Sequence, residues 1–359
     1  MVKERNLLKL SNIKMKSARL RKIIVENKKI LNDKKCIEML IDKNEVKKEE
    51  ILKANVKERI EKQIRVLRQE KVGILTVFDK DYPEKLLELE DAPPVLYCRG
   101  KVFPEDSNAV AIIGTRRATD YGRNAARTLA KKLSGLGITI VSGMAMGIDT
   151  QAHIGALEGG GRTLAVMGTG IDLIYPSSNR NLAPKIVERG ALLTELPPLS
   201  KALPYHFPAR NRIISGLSKA VIAVEAAEKS GVFSTVRWAL EYGRDVYALP
   251  GDINRKVSEG TNKLIKSGAI PLTSYEDLLD NTNVVTTVQK EKEKERKEIP
   301  YLSEQEEAVY KALDSTPKST DVLALETGLK PQVVMTAMAL LELKGLSREI
   351  SGKRFIRED

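Results

Sequence analysis

The sequence predicts an α/β protein built on a doubly wound, mostly parallel sheet, with a helical segment before it and a small helical unit after it. Three observations carry this. Between residues 108 and 280, short apolar runs alternate with glycine-rich turns and helical stretches, the pattern of βαβ units with right-handed crossovers. The runs are apolar throughout rather than at every second position, as strands covered on both faces require. The composition changes at about residue 70 and again at about residue 286, which divides the chain into three units and a linker.

Residues 1–70 contain no proline, and Ile51, Leu52, Val56, Ile60, Ile64 and Leu67 recur at three-to-four spacing. This predicts helices with an opposite face of Lys, Arg and Glu. Residues 71–285 form the second unit. Gly73–Val77 reads as a strand, Asp81-Tyr-Pro-Glu-Lys85 as a short helix with proline in its first turn, and Val95–Cys98 as another strand. Further strands are predicted at Ala109–Ile113, Ile138–Val141, Thr163–Met167, Ala191–Thr194, Ala220–Val224 and Asp245–Leu249, which makes this unit Rossmann-like. Residues 286–300, TTVQKEKEKERKEIP, hold too few apolar groups to build a core and read as a linker. Residues 301–359 predict helices at Glu304–Leu313, Thr320–Thr327 and Gln332–Lys344, with Gly328 ending the second. The tail Ser347–Arg357 carries Gly352 at its middle and reads as a two-stranded wing, completing a winged-helix pattern.

Composition narrows the function classes. A chain of 359 residues that is 42% hydrophobic and 30% charged can bury real cores, and 4% aromatics makes those cores aliphatic. Cys36 and Cys98 cannot make a disulfide framework, and with only His153 and His206 beside them a Cys/His zinc site is nearly excluded. No cofactor or metal is expected. No apolar run approaches the roughly 18 residues that span a bilayer, and the start MVKERNLLKL lacks a signal peptide's apolar core, so a cytoplasmic protein is expected. The net charge of +12 suggests a polyanionic partner, but residues 1–70 alone hold +10 and residues 301–359 hold −2. A basic site in the sheet unit must therefore come from local clustering.

Such clustering is found just after the strands. The loops read Gly114-Thr115-Arg116-Arg117, Ser142-Gly143-Met144-Ala145-Met146-Gly147, Gly168-Thr169-Gly170, Glu195, Glu225 and Pro250-Gly251-Asp252. In an open α/β sheet these carboxyl ends line one crevice, where ligands bind. Gly114-Thr115-Arg116 suits a phosphate, with amide groups at a helix start and a guanidinium beside them; a tight turn with a solvated arginine suits it about as well. The dinucleotide fingerprint and the Walker A loop are both absent. Asp149 and His153, four apart on a helix, read better as an N-cap and a packing residue than as an acid/base pair. Phe207-Pro-Ala-Arg210-Asn211-Arg212 is the densest polar cluster. Cations for phosphates and an aromatic face for a base are what a single strand needs, although the arginines can equally pair with Glu195 or Glu225. Asn179, Arg180, Arg237 and Lys263 are further candidates. The expectation is that Arg116, Arg210 and Arg212 hold phosphates, that amides at 114, 143 and 168 add dipolar contacts, and that Phe207 supports a base. In the third unit the helix Gln332–Lys344 has one cation, Lys344, and the others (Arg348, Lys353, Arg354, Arg357) lie in the wing. This favours a protein-contact or regulatory role over sequence-specific duplex reading.

Six runs, VAIIGTRRATDYGR (110–123), VSGMAMGIDTQAHIGAL (141–157), TLAVMGTGIDLIYPSSNRNL (163–182), FPARNRIISGLSKAVIAVEA (207–226), SGVFSTVRWALEYGRDVYALPG (230–251) and GTNKLIKSGA (260–269), resemble the DNA-processing protein DprA (Smf) family in content and order. The resemblance implies a helical N-terminal domain similar to sterile-alpha-motif folds, an extended Rossmann domain and a winged-helix C-terminal domain. It also implies a single-stranded-DNA-binding protein that is not an enzyme, protects incoming strands in natural transformation, loads the recombinase RecA and dimerises through its Rossmann-like domain. Carried over by motif, the DNA pocket includes Gly114, Thr115, Arg116, Ser142, Gly143, Phe207, Arg210, Asn211 and Arg212, with Asn179 matching a Y-P-x-x-N motif. The chain departs from the family pattern at Met146, where arginine is usual, at Ser230-Gly231-Val232-Phe233 where S-G-S-L is common, and in lacking an N-terminal G-I-G hairpin. The rival from another class is a nucleotide glycosidase-like enzyme using Glu195, Glu225 or Asp149.

Overall fold

Nine strands form one sheet. They are β1 (Gly73–Thr76), β2 (Val95–Gly100), β3 (Ala109–Ile113), β4 (Thr139–Ser142), β5 (Thr163–Val166), β6 (Ala191–Thr194), β7 (Ala220–Ala223), β8 (Asp245–Ala248) and β9 (Ile270–Pro271). Their spatial order is β1-β2-β6-β5-β4-β3-β7-β8-β9. β3 to β9 are parallel to one another, whereas β1 pairs antiparallel with β2, and β2 antiparallel with β6. The chain winds outward from β3 to β6, then returns to place β7 on the other side of β3. The order therefore reverses at β3, and the crevice of a doubly wound fold opens above that point. The computed structural model describes residues 2–13, 15–43, 45–48, 57–286, 302–314, 317–344, 346–350 and 353–357.

The predicted strands of the sheet match to within a residue or two. The short helix begins later than expected, at Glu84, with Pro83 as its N-cap residue. β9 was not anticipated, because two residues carry no readable pattern. β3 shows why the strands are apolar throughout. Val110 and Ile112 join a core on one face with Leu129, Ile140 and Ile148, while Ala109, Ala111 and Ile113 join a core on the other with Val141, Ile213 and Leu217.

The helices among residues 2–69 pack onto the sheet rather than standing apart. Leu7, Ile24, Leu40, Ile60, Ile64 and Leu67 share a core with Tyr97, Ala165 and Leu192 of β2, β5 and β6. The helix Lys57–Gln69 buries the expected Ile60, Ile64 and Leu67; the predicted stripe residues Ile51, Leu52 and Val56 lie outside the described residues. Gln63 is buried with them, and its Nε2 donates to the Pro198 carbonyl at 2.9 Å, tying this helix to the segment after β6. The chain divides into two compact units, Met1–Thr286 and Thr287–Asp359.

The second unit holds helices Glu304–Ala312, Thr320–Thr327 and Pro331–Leu343, and antiparallel strands Ser347–Ile350 and Arg354–Arg357. A short strand, Lys318–Ser319, adds a third to the wing. Ser303 opens the first helix through a capping box with Glu306. Gly328, at φ +70°, ends the second as expected. Gly352 and the linker residues 287–300 lie outside the described residues. Lys344 and Arg357 contact side chains of their own unit, while Arg348, Lys353 and Arg354 of the wing are exposed. Lys344 Nζ donates to Glu306 Oε1 at 2.6 Å, and the Arg357 guanidinium lies 4.2 Å from the Tyr310 ring centroid.

Candidate nucleic-acid interface

The β3 loop, the β4 loop, the β5 loop and the helix His206–Gly216 meet at the switch point. Arg116, exposed at the β3 loop, places its guanidinium 5.4 Å from the centroid of the Phe207 ring. Phe207 in turn lies against Gly168, where a Cβ would come within 2.8 Å of the ring. On the same helix Arg210 crosses beneath the β4 loop. Its guanidinium fills the space a Cβ would take at Gly143, 2.5 Å away. The separate stretches of chain holding Arg116, Gly143, Gly168, Phe207 and Arg210 thus converge on one basin, with Asn211 half-buried beside Arg210.

Arg210 is a structural cation. It is buried, and its Nη1 donates to the carbonyls of Gly143 and Val166. Burial pulls its guanidinium down to about 10; Asp149 opposes this and Arg116 adds to it. Contrary to the expectation of an N-cap, Asp149 does not cap its helix. Gly147 at φ +80° holds the N-cap position, where a Cβ would strike the Thr115 carbonyl. The Asp149 carboxylate instead accepts from the Gly143 and Ala145 N–H groups at 3.1 and 3.3 Å. Burial raises its pKa, with Arg210 opposing the shift. The Gly143 amide is thereby committed, which corrects its expected role as a dipolar ligand contact. His153, the other member of the pair, turns Nδ1 toward Thr163 Oγ1 at 2.7 Å. Burial, with Arg210 adding to it, drives the imidazole down to about 3.

Arg212 does not enter the basin. It points to the opposite side of its helix, donates to Glu195 and to Ser17 Oγ (2.9 Å), and reaches the Asp91 carbonyl at 2.8 Å. This is the alternative the sequence left open, and it anchors the helix Ser17–Glu26 beside the β6 loop. Ser142 Oγ donates across the sheet to the Ile112 carbonyl at 2.7 Å. Asn179 is buried and clamps the β4 loop through the Met144 carbonyl and Thr150 Oγ1, both at 2.9 Å. Gly114 packs against Ile148, and the Thr115 N–H donates to the Glu225 carbonyl at 2.8 Å. Arg180 is exposed on its loop, and Lys263 pairs with Glu228 at 3.5 Å on the surface. Of the expected phosphate ligands, Arg116 alone is both exposed and in the basin.

Tyr175 was missed. It is half-exposed, and its ring lies 5.6 Å from that of Phe207. Arg116, Phe207 and Tyr175 therefore form a cation–aromatic–aromatic series along the rim. The sequence signal for it was an aromatic three residues before the serine-asparagine turn. The two glutamates are structural. Glu225 accepts from the Thr119 N–H at 2.9 Å and from Thr119 Oγ1, and Thr119 in turn caps the helix Asp120–Gly135. Glu225→Ala is expected to destabilise the protein by about 1–3 kcal/mol by orphaning that donor, measured by urea unfolding.

An open α/β sheet whose switch point carries a cationic, aromatic-edged basin, in one chain with a winged-helix unit, defines a nucleic-acid-handling protein. Residues 73–283 match the family of DNA recombination-mediator protein A, and residues 293–353 match the DprA winged helix domain. The chain belongs to the DprA (Smf) family of DNA recombination mediators. It is 35% identical over 323 residues to the protein Smf of Synechocystis sp., covering 81% of each chain. Its fold is similar to the X-ray structure of DNA processing protein A from Streptococcus pneumoniae, at TM-score 0.68 and 32% identity over 78% of this chain and 98% of that one. It is also similar to DNA processing protein A from Helicobacter pylori, whose structure was described for its single-stranded DNA binding mode, at TM-score 0.52 and 33% identity over 58% and 94% of the two chains. Among the described residues, no helix is long and apolar enough to cross a membrane.

Proposed function

We propose that this protein binds single-stranded DNA in the basin above β3, β4 and β5, without strong sequence preference, as a recombination mediator and not as an enzyme. The observation that carries the reading is the grouping of Arg116, Phe207 and Tyr175 over Gly168. Arg116 takes phosphate, the two rings take bases, and the amides near Gly114 and Gly168 add dipolar contacts. Arg210 and Asn179 shape the basin from below, and Arg180 and Lys263 extend the cationic surface around it. Family membership and the single-strand binding of the H. pylori relative support the same reading. The chain works in the cytoplasm without a cofactor, as a homodimer through the Rossmann-like domain, protecting incoming strands in natural transformation and loading RecA onto them. In functional terms its parts are a basic helical domain (1–70), a DNA-binding domain (71–285), a linker (286–300) and a winged-helix domain (301–359). Leu325, Met335 and Leu343, exposed on the helices of the last, suit protein contact. The carboxylates available to a glycosidase are each engaged: Glu195 with Arg212, Glu225 with Thr119, and Asp149 with two amides.

The test is titration of a labelled single strand with Arg116→Ala. Affinity is expected to fall at least tenfold, and the log–log salt dependence to become shallower by about 0.7 for the one phosphate contact removed. Unchanged binding by the folded variant sinks the reading.

A further inference from the structure

A second concavity lies on the other side of the β3 loop from Phe207. We propose that it is a base-binding subsite for the same single strand, taking one planar nucleobase where the strand leaves the basin. This rests on the single-strand reading above and extends it to residues that reading does not use.

The groove holds about 500 Å³ between the helix Asp120–Gly135, the end of β8 and the turn after β9, within the range of about 300–1,000 Å³ usual for small-molecule sites. Leu129 and Leu249 give it apolar lining, and Tyr121 and Tyr275 border it. Both rings are already held. The Tyr121 hydroxyl donates to the Pro250 carbonyl at 3.3 Å, and Lys132 Nζ lies 4.6 Å from the Tyr275 ring centroid. A ring fixed before binding loses little freedom when a base stacks on it.

The chemistry selects a base and not a phosphate. Glu276 borders the groove. Its carboxyl is held below the usual range, chiefly by its own backbone N–H, so it is ionised at neutral pH and repels a phosphate. It also accepts from base amino groups, while Lys132 donates; the Ser274 hydroxyl is already hydrogen-bonded to Glu276. Both edge chemistries are met, which suits a site without strong base preference.

Continuity with the basin comes from one short stretch of chain. Arg116 leans toward Phe207 at the β5 loop, and Tyr121, five residues on, reaches Pro250 after β8. β5 and β8 are four strand steps apart in the sheet, about 19 Å at ordinary strand spacing. The β3 loop, with exposed Arg116 and Arg117, lies between them.

The experiment is a length series of oligothymidylates across about 4–16 nucleotides, the site sizes usual for single-strand binders, with the full chain and its variants. Tyr121→Ala and Tyr275→Ala are each expected to weaken the longer strands about 5- to 100-fold and to leave the shortest unchanged. Tyr121→Phe and Tyr275→Phe, which keep the rings, are expected to restore most of the affinity. If the alanine variants match the parent at every length while Arg116→Ala weakens all lengths, the groove is not a subsite and the basin reading stands. If Arg116→Ala binds every length as the parent does, the basin reading fails and the subsite falls with it.

Discussion

Arg210→Ala is expected to lower the unfolding free energy of the sheet unit by about 3–5 kcal/mol, the usual cost of removing one member of a buried charge arrangement. Three groups lose their partner together. The Gly143 and Val166 carbonyls lose a donor, and Asp149 keeps its two amide bonds but loses the nearby cation that opposes its desolvation. For a unit of this size the melting temperature should fall by about 5–10 °C. The deficit carries a signature that simple loss of packing lacks. Without Arg210 the Asp149 carboxyl is easier to protonate, and a carboxyl with a raised folded-state pKa stabilises most below its unfolded value and loses that contribution as pH rises through the folded one. The gap between parent and variant should therefore narrow as pH falls, and His153, relieved of Arg210's charge, acts in the same direction. Arg210→Lys restores the charge but not the planar, rigid fork that fixes Nη1 against both carbonyls, so partial recovery is expected. Thermal unfolding at two pH values measures all three. A gap independent of pH would mean that Arg210 contributes packing alone.

This variant separates two meanings of a basic residue near a ligand. Arg210 and Arg212 are two residues apart in a motif that invites both as phosphate ligands. One lies under the β4 loop and the other faces Glu195 and Asp91 across the helix. Nothing local in the sequence distinguishes them, because the groups that engage them come from residues 91, 143, 149, 166 and 195. Arg116 was legible as one phosphate candidate among three, because a glycine-threonine turn follows a strand there, although a solvated arginine fitted that turn about as well. The glycines were legible for a related reason. Gly143 and Gly168 are fixed by what fills the missing Cβ space, a guanidinium and a phenyl ring, and those partners lie in the same loop-end set. The strands of the sheet could be read because double-sided burial leaves continuous apolar runs. The docking of the described helices before residue 70 onto β2, β5 and β6 could not, since an apolar stripe says that a face is covered and not what covers it. Tyr175 and the Tyr121–Tyr275 groove escaped for the same reason. An aromatic in a turn becomes a platform only through neighbours distant in sequence.

The folded protein is expected to lose stability steadily as pH drops below about 6.5, with His153 as a principal cause. Burial holds its imidazole at about 3 in the folded chain, against about 6.5 when unfolded. Between those values the unfolded chain binds one proton more than the folded one. Stability then falls with decreasing pH at up to about 1.4 kcal/mol per unit. Asp149 acts with the opposite sign where it titrates, because its folded-state pKa is raised, so it flattens the slope rather than adding to it. Other carboxylates titrate below about pH 5, which makes the interval from 7 to 5.5 the cleanest. Urea unfolding across that interval should show a slope in the parent that is largely absent in His153→Gln, whatever the absolute stability of the variant. The comparison of slopes matters because Gln differs from His in volume, and a packing cost shifts the whole curve without tilting it. Parallel curves would show that the folded chain accepts the proton at His153. The site beneath the basin would then tolerate a second cation beside Arg210, and burial would not be what keeps the His153 ring neutral.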